Sequence, residues 1–161
     1  MSNKGNSLIV ELRTFAELIG EEGRQAEFYN QMLKDAKPIE VVRLSEVFTD
    51  TEIKAIKRFV NPKVKECYRN ATLFSHIYPE VKYVEGKMTC FGAFGIEHAW
   101  NKVGDKYVDI TMELVLDRDP TKEEYMALGE YDQETVVSIC SEVGFYGSVY
   151  PILYNKQKSE K

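Results

Sequence analysis

The sequence predicts a single α+β domain in which N-terminal helices pack on an antiparallel β-meander. Three observations carry that expectation. Apolar residues recur at helical spacing between Leu8 and Val60. From Val81 the pattern changes to β-compatible runs separated by glycine-bearing turns. The chain has 161 residues, enough to bury one core, and no repeat or low-complexity linker divides it. Residues 1–161 are therefore read as one unit, with polar, frayed tails at 1–7 and 155–161.

The elements follow in order. Leu8, Leu12, Phe15, Leu18 and Ile19 form the stripe of a first helix, and a second covers Ala26 to Ala36, closed by Lys37-Pro38. The third runs from Thr51 to Val60, with Thr49 or Asp50 as N-cap and Ile53, Ile56, Phe59 and Val60 on one face. Strands are expected over 81–91, 96–103 and 107–116, parted by turns at 91–95 and at Gly104-Asp105. Asp117-Arg118-Asp119-Pro120 ends the meander. Asp132 then caps a helix through about Glu142 that Gly144 closes, and Val149 to Tyr154 reads as a final strand.

Composition narrows the function. The chain holds 21 Lys and Arg against 26 Asp and Glu, a formal charge of −5, which argues against a nucleic-acid surface. Cys67, Cys90 and Cys140 lie far apart with no CxxC pair, which suggests neither a disulfide framework nor a structural zinc site. The early apolar run Leu8-Ile9-Val10 is too short for a signal-peptide core, and no stretch is long enough to span a membrane. A soluble cytoplasmic protein is the expectation.

The stretch IEHAWNKVGDKYVDIT at 96–111 holds one of the two histidines and the only tryptophan. With Gly104-Asp105 at the turn, Lys102 lies opposite Tyr107, Trp100 opposite Asp109, and His98 opposite Thr111. Alternate residues share a face, so His98, Trp100, Asp109 and Thr111 project from one side, with Asp109 diagonal to His98. A carboxylate there binds one imidazole nitrogen and leaves the other free to take a proton. The ordinary alternative is a structural His–Asp pair, with Trp100 a plain core anchor.

Upstream, Cys67 precedes a helical stretch with Ala71, Phe74 and Ile77 as apolar positions. If Pro62 ends the preceding helix and Cys67 opens the next, the thiol meets the positive end of the macrodipole, which favours a thiolate. If instead Asn61-Pro62 starts the helix, Cys67 lies beyond the first turn. We take the first arrangement. The competing reading buries Cys67 on an apolar stripe with Val64, Ala71 and Phe74.

Taken in order, Cys67 at a helix start, HAW at 98–100 and YVDIT at 107–111 resemble the transglutaminase-like branch of the papain-like fold, which reads Cys…His-Ala-Trp…Asp-Pro-Thr. The stretch is also similar to uncharacterised phage and bacterial members of that superfamily. The resemblance covers about residues 62–115, and Ile110 stands where the pattern often has proline. It implies a papain- or transglutaminase-like core with Cys67 as nucleophile, His98 as general base and Asp109 as its orienting acid. Trp100 is a candidate for shielding the pair or lining a pocket. Asn70, on the Cys67 face of the helix, is a candidate support, though an amide in solvent is the plainer expectation.

The expected function is cysteine-dependent acyl transfer on a protein, peptide or small amide substrate, needing no metal or cofactor. Hydrolysis makes such a protein a peptidase, amidase or deamidase; an acceptor amine makes it a transglutaminase-type transferase. The rival reading is a non-catalytic binding domain on the same fold.

Overall fold

A computed structural model describes residues 6–160. Its elements are α1 (Ser7–Ile19), α2 (Arg24–Asp35), β1 (Lys37–Ile39), α3 (Asp50–Val60), α4 (Cys67–Ile77), β2 (Val81–Thr89), β3 (Gly95–Val103), β4 (Lys106–Val108), β5 (Tyr125–Tyr131), α5 (Gln133–Val143) and α6 (Tyr150–Ser159). The class is α+β. The expected meander, β2-β3-β4, forms part of a five-stranded antiparallel sheet ordered β1-β5-β2-β3-β4.

The two faces of the sheet are covered differently. On one face Val84, Met88, Trp100, Tyr125 and Ala127 pack with Val41, Tyr107 and Met112, which come mostly from connecting segments. The other face carries the helices: Ala71 of α4 and Val136 and Ile139 of α5 on Tyr83 and Ala99, and Leu8, Leu12 and Met32 on Met126. Ile56 and Val60 of α3 pack with Phe74, Val81, Val108 and Ile110.

Local chemistry explains most boundaries. α3 opens on a full capping box, Thr49 Oγ1 accepting from Glu52 N and the Glu52 carboxylate accepting from Thr49 N. Asp132 caps α5 by accepting from Thr135 N, and Gly144 closes it in the left-handed region. Asn6 caps α1, so the described part of the expected N-terminal tail belongs to that helix; residues 1–5 and 161 lie outside the described residues.

Three expectations are corrected. The strand expected over 107–116 stops at Val108, because Asp109 caps a following π-helical turn, Thr111–Val115, accepting from Met112 N at 3.1 Å. The strand expected over 149–154 is helical and extends through most of the expected C-terminal tail. Glu85, far away on β2, accepts from Val149 N and Tyr150 N and so caps α6, while Pro151 sits in its first turn. Finally, β1 and β5 were not among the expected strands. β5 lies inside the sheet with apolar residues on both faces, so it lacks the polar alternation that marks an exposed strand.

Candidate active site

Cys67 is the first residue of α4, and the preceding loop puts it there. Asn61 ends α3 in the left-handed region and Pro62 follows, so the chain leaves the helix. The fully buried Asn70 then clasps Lys63, its Oδ1 accepting from Lys63 N at 2.9 Å and its Nδ2 donating to Lys63 O at 2.8 Å. Lys65 bends the loop through a φ of 61°, which costs a non-glycine residue about 1–2 kcal/mol. Val64 is 59% exposed, which rules out the buried stripe that would have absorbed Cys67. Asn70 does not face solvent as expected; its second Nδ2 bond, 3.0 Å to Thr111 Oγ1, ties α4 to the turn after Asp109.

β4 pairs with β3 only over 101–103, so Gly95 to Trp100 has no strand on that side. The start of α4 meets this uncovered edge, and Cys67 is near enough to the His98 ring to help push its pKa up. His98 stands opposite Gly86 of β2. A Cβ at Gly86 would meet the Met126 carbonyl oxygen at 1.9 Å, so glycine is required where a bulge shifts the β2–β5 register.

His98 Nε2 lies 2.7 Å from Asp109 Oδ2, as the strand parity predicts. Nδ1 is therefore the nitrogen left for Cys67. Thr111 is not opposite His98, because β4 has already ended. Asp109 is fully buried and also accepts from Tyr125 Oη at 2.7 Å, in addition to the Met112 N–H. Tyr125 is the site residue that the sequence reading missed: it lies on β5, and no local signal links it to Asp109. Trp100 is a core anchor, 1% exposed, stacked on His98 with centroids 6.0 Å apart and meeting the Tyr125 ring edge-on at 5.0 Å. It screens the His98–Asp109 pair and lines no open pocket.

Burial acts to lower the His98 pKa. The charge and hydrogen bond of Asp109, joined by Cys67, outweigh it and push the ring up to about 10. Beside it, the first turn of α4 has N–H groups without intrahelical partners, and Glu66 adds no side-chain cap. A sulfur nucleophile, a proton-carrying imidazole fixed by a carboxylate, and free backbone donors are the parts that acyl transfer needs. Among the described residues no three His, Cys, Asp or Glu side chains are grouped to hold a metal ion. No helix among them is long and apolar enough to cross a membrane. Comparison with protein-family models, curated proteins and solved structures finds no match to the chain.

Proposed function

We propose that this protein is a cysteine-dependent acyl-transfer enzyme built on a papain-like, transglutaminase-type core. One observation carries the reading: the ring whose Nε2 is 2.7 Å from Asp109 Oδ2 is also the ring whose pKa is raised by Cys67, the first residue of α4. Attack uses the thiolate form of Cys67 with the protonated His98 ring beside it, so His98 acts first as an acid. Cys67 Sγ attacks the substrate carbonyl carbon while first-turn N–H groups of α4 receive the oxyanion. The C–N bond breaks, the leaving amine takes the His98 proton, and a thioester remains. Water or an acceptor amine then gives its proton to His98 and attacks, and the released thiolate regains its imidazolium partner. Protein, peptide and small amide substrates all fit this chemistry. The three unpaired cysteines suit a reducing, cytoplasmic compartment.

The test is alkylation with iodoacetamide at neutral pH and mass mapping of the three thiols. Cys67 is expected to react at least about tenfold faster than Cys90 or Cys140; burial pushes the Cys140 thiol up. His98→Ala should slow Cys67 alone. Equal or absent labelling of all three thiols overturns the reading and favours a non-catalytic binding domain.

A further inference from the structure

The hairpin joining β2 to β3 projects apolar surface into solvent: Phe91 is 75% exposed, Phe94 69%, and Ile96, at the start of β3, 37%. Turns are ordinarily made of Gly, Asn, Asp, Pro and Ser, which meet the backbone's demands without carrying rings into water. Here the turn accepts a strained residue to carry one. Phe91 has a φ of 56°, a left-handed conformation that bulky side chains rarely adopt.

The strained tip is nevertheless held in one shape. Cys90 N donates to Phe94 O at 3.1 Å and Ala93 N to Cys90 O at 3.0 Å, closing the turn on itself. The Glu123 carboxylate accepts from Gly92 N at 3.0 Å and from Thr89 Oγ1. The Arg118 guanidinium lies 3.7 Å from the Phe91 ring centroid and 3.6 Å from Glu123, so it braces the ring from below while its charge is matched. Rings presented on a braced turn lose little freedom on binding, which is the property of an anchor surface.

β3 connects this tip to the candidate site. Ile96 alternates with His98 along one face, and Phe94 precedes His98 by four residues, roughly 13 Å at the rise of a strand. An extended chain whose acyl carbon sits at Cys67 reaches the tip within about four residues.

We infer that Phe91 and Phe94 form a docking surface for the distal part of an extended polypeptide substrate, which lays an aromatic or branched apolar side chain on them. The substrate of the proposed acyl transfer is then a polypeptide and not a small free amide; this rests on the acyl-transfer reading above. A second copy of the chain is the poorer occupant. Two exposed rings present a few hundred Å² at most, well short of the roughly 800 Å² per partner that a stable interface buries. One substrate side chain needs no more than they provide.

The experiment uses nine-residue peptides with a chloroacetyl group on a central diaminopropionate side chain. Cys67 sulfur displaces chloride, a C–S bond replaces C–Cl, and mass mapping follows the rate. Phe in place of Ser is placed in turn at each other position, on both sides of the electrophile. In the wild-type protein, Phe at one position two to five residues from the electrophile is expected to raise the rate about tenfold. Phe94→Ser should remove that advantage, and so should Phe91→Asn, which keeps a residue tolerant of the left-handed backbone. Iodoacetamide, too short to reach the hairpin, should alkylate Cys67 equally in all three proteins. An unchanged Phe advantage in both variants, or no advantage at any position, overturns the docking surface while selective iodoacetamide labelling still stands. Sedimentation showing a wild-type dimer that the variants lose also overturns it, in favour of self-association. If iodoacetamide does not single out Cys67, the acyl-transfer reading falls and this inference falls with it.

Discussion

The sheet buries one carboxylate on each face, and the two are built almost alike. On the helix-covered face, Glu85 accepts from Tyr83 Oη at 2.7 Å, from Ser148 Oγ, and from Val149 N and Tyr150 N at 2.8 and 3.1 Å. On the opposite face, Asp109 accepts from Tyr125 Oη, from Met112 N and from His98 Nε2. Each has a tyrosine hydroxyl, and each caps a helical turn. They differ in one partner. Among the described residues no cation pairs with Glu85, and burial raises its pKa against the pull of those hydrogen bonds. Asp109 holds a titratable ring whose other nitrogen faces a thiol. A buried carboxylate with only fixed donors can do no more than fasten parts of the fold together. The same carboxylate with a titratable partner beside a nucleophile can control where a proton resides.

Neutralising each carboxylate in turn tests that contrast, and the largest effect is expected at Asp109. Asp109→Asn removes the charge that holds the His98 proton, so the ring pKa falls from about 10 and the neutral-pH rate of Cys67 alkylation drops about tenfold or more, toward that of an ordinary thiol. Glu85→Gln should leave that rate within about threefold of wild type. Equal slowing by both substitutions, in the same iodoacetamide assay, would mean that Asp109 acts only through the fold.

Stability should depend on Glu85 even though the labelling rate does not. Glu85→Ala strands the N–H groups of Val149 and Tyr150 and the Tyr83 hydroxyl in a buried site. At about 1–3 kcal/mol for each unsatisfied group, the loss should exceed about 3 kcal/mol in chemical denaturation. Hydrogen exchange should show α6 loosening first. An α6 as protected as in wild type would show that water or apolar packing replaces the cap.

The two groups also divide the pH axis. The folded-state pKa of His98 lies above its unfolded value, so its stabilising contribution is complete below about pH 6.5 and is lost as pH rises toward 10. Glu85 is raised as well, so its contribution is likewise lost with rising pH, but the loss begins near pH 4. Denaturation midpoints measured from pH 4 to 10 should show the alkaline decline vanish in His98→Gln and the acidic decline vanish in Glu85→Gln. Loss of both declines in one variant would mean that the two sites titrate as a unit.

How much of this was legible in the sequence follows from how far each feature reaches along the chain. The caps of α3 and α5 depend on neighbours within a few residues. The sequence offers Thr49 or Asp50 for the first, which is Thr49, and Asp132 for the second. Asn61-Pro62 leaves α4 two possible starts, of which the preferred one, Cys67, is found. His98 and Asp109 meet across a two-residue turn, so strand parity suffices even though β4 stops sooner than expected. By contrast β5 pairs with a strand about forty residues back, and α6 receives its cap from Glu85, 64 and 65 residues away. Nothing within VYPILY announces a carboxylate arriving from another element, so β-branched and aromatic residues suggest a strand there. Asn70 misleads for the same reason: its helical position is compatible with solvent, and only the returning 62–66 loop and Thr111 bury it.

The smallest effect is expected at the partner the two carboxylates share in kind, a tyrosine hydroxyl. Tyr125→Phe removes one donor from Asp109 Oδ2 and leaves the His98 bond to that oxygen in place. A hydrogen bond to a charged group is worth about 1.5–3 kcal/mol, and the buried ring keeps its packing against Trp100, so a loss near the lower figure is expected. The carboxylate, less well solvated by fixed donors, then relies more on the imidazolium. The alkaline limb of Cys67 alkylation should therefore stay near pH 10 or move slightly upward, while Asp109→Asn moves it down. The same substitution on the other face, Tyr83→Phe, removes the corresponding donor from Glu85 and should cost similar stability without moving that limb. A downward shift in Tyr125→Phe as large as that in Asp109→Asn would show that the hydroxyl, and not the carboxylate charge, sets the position of the ring.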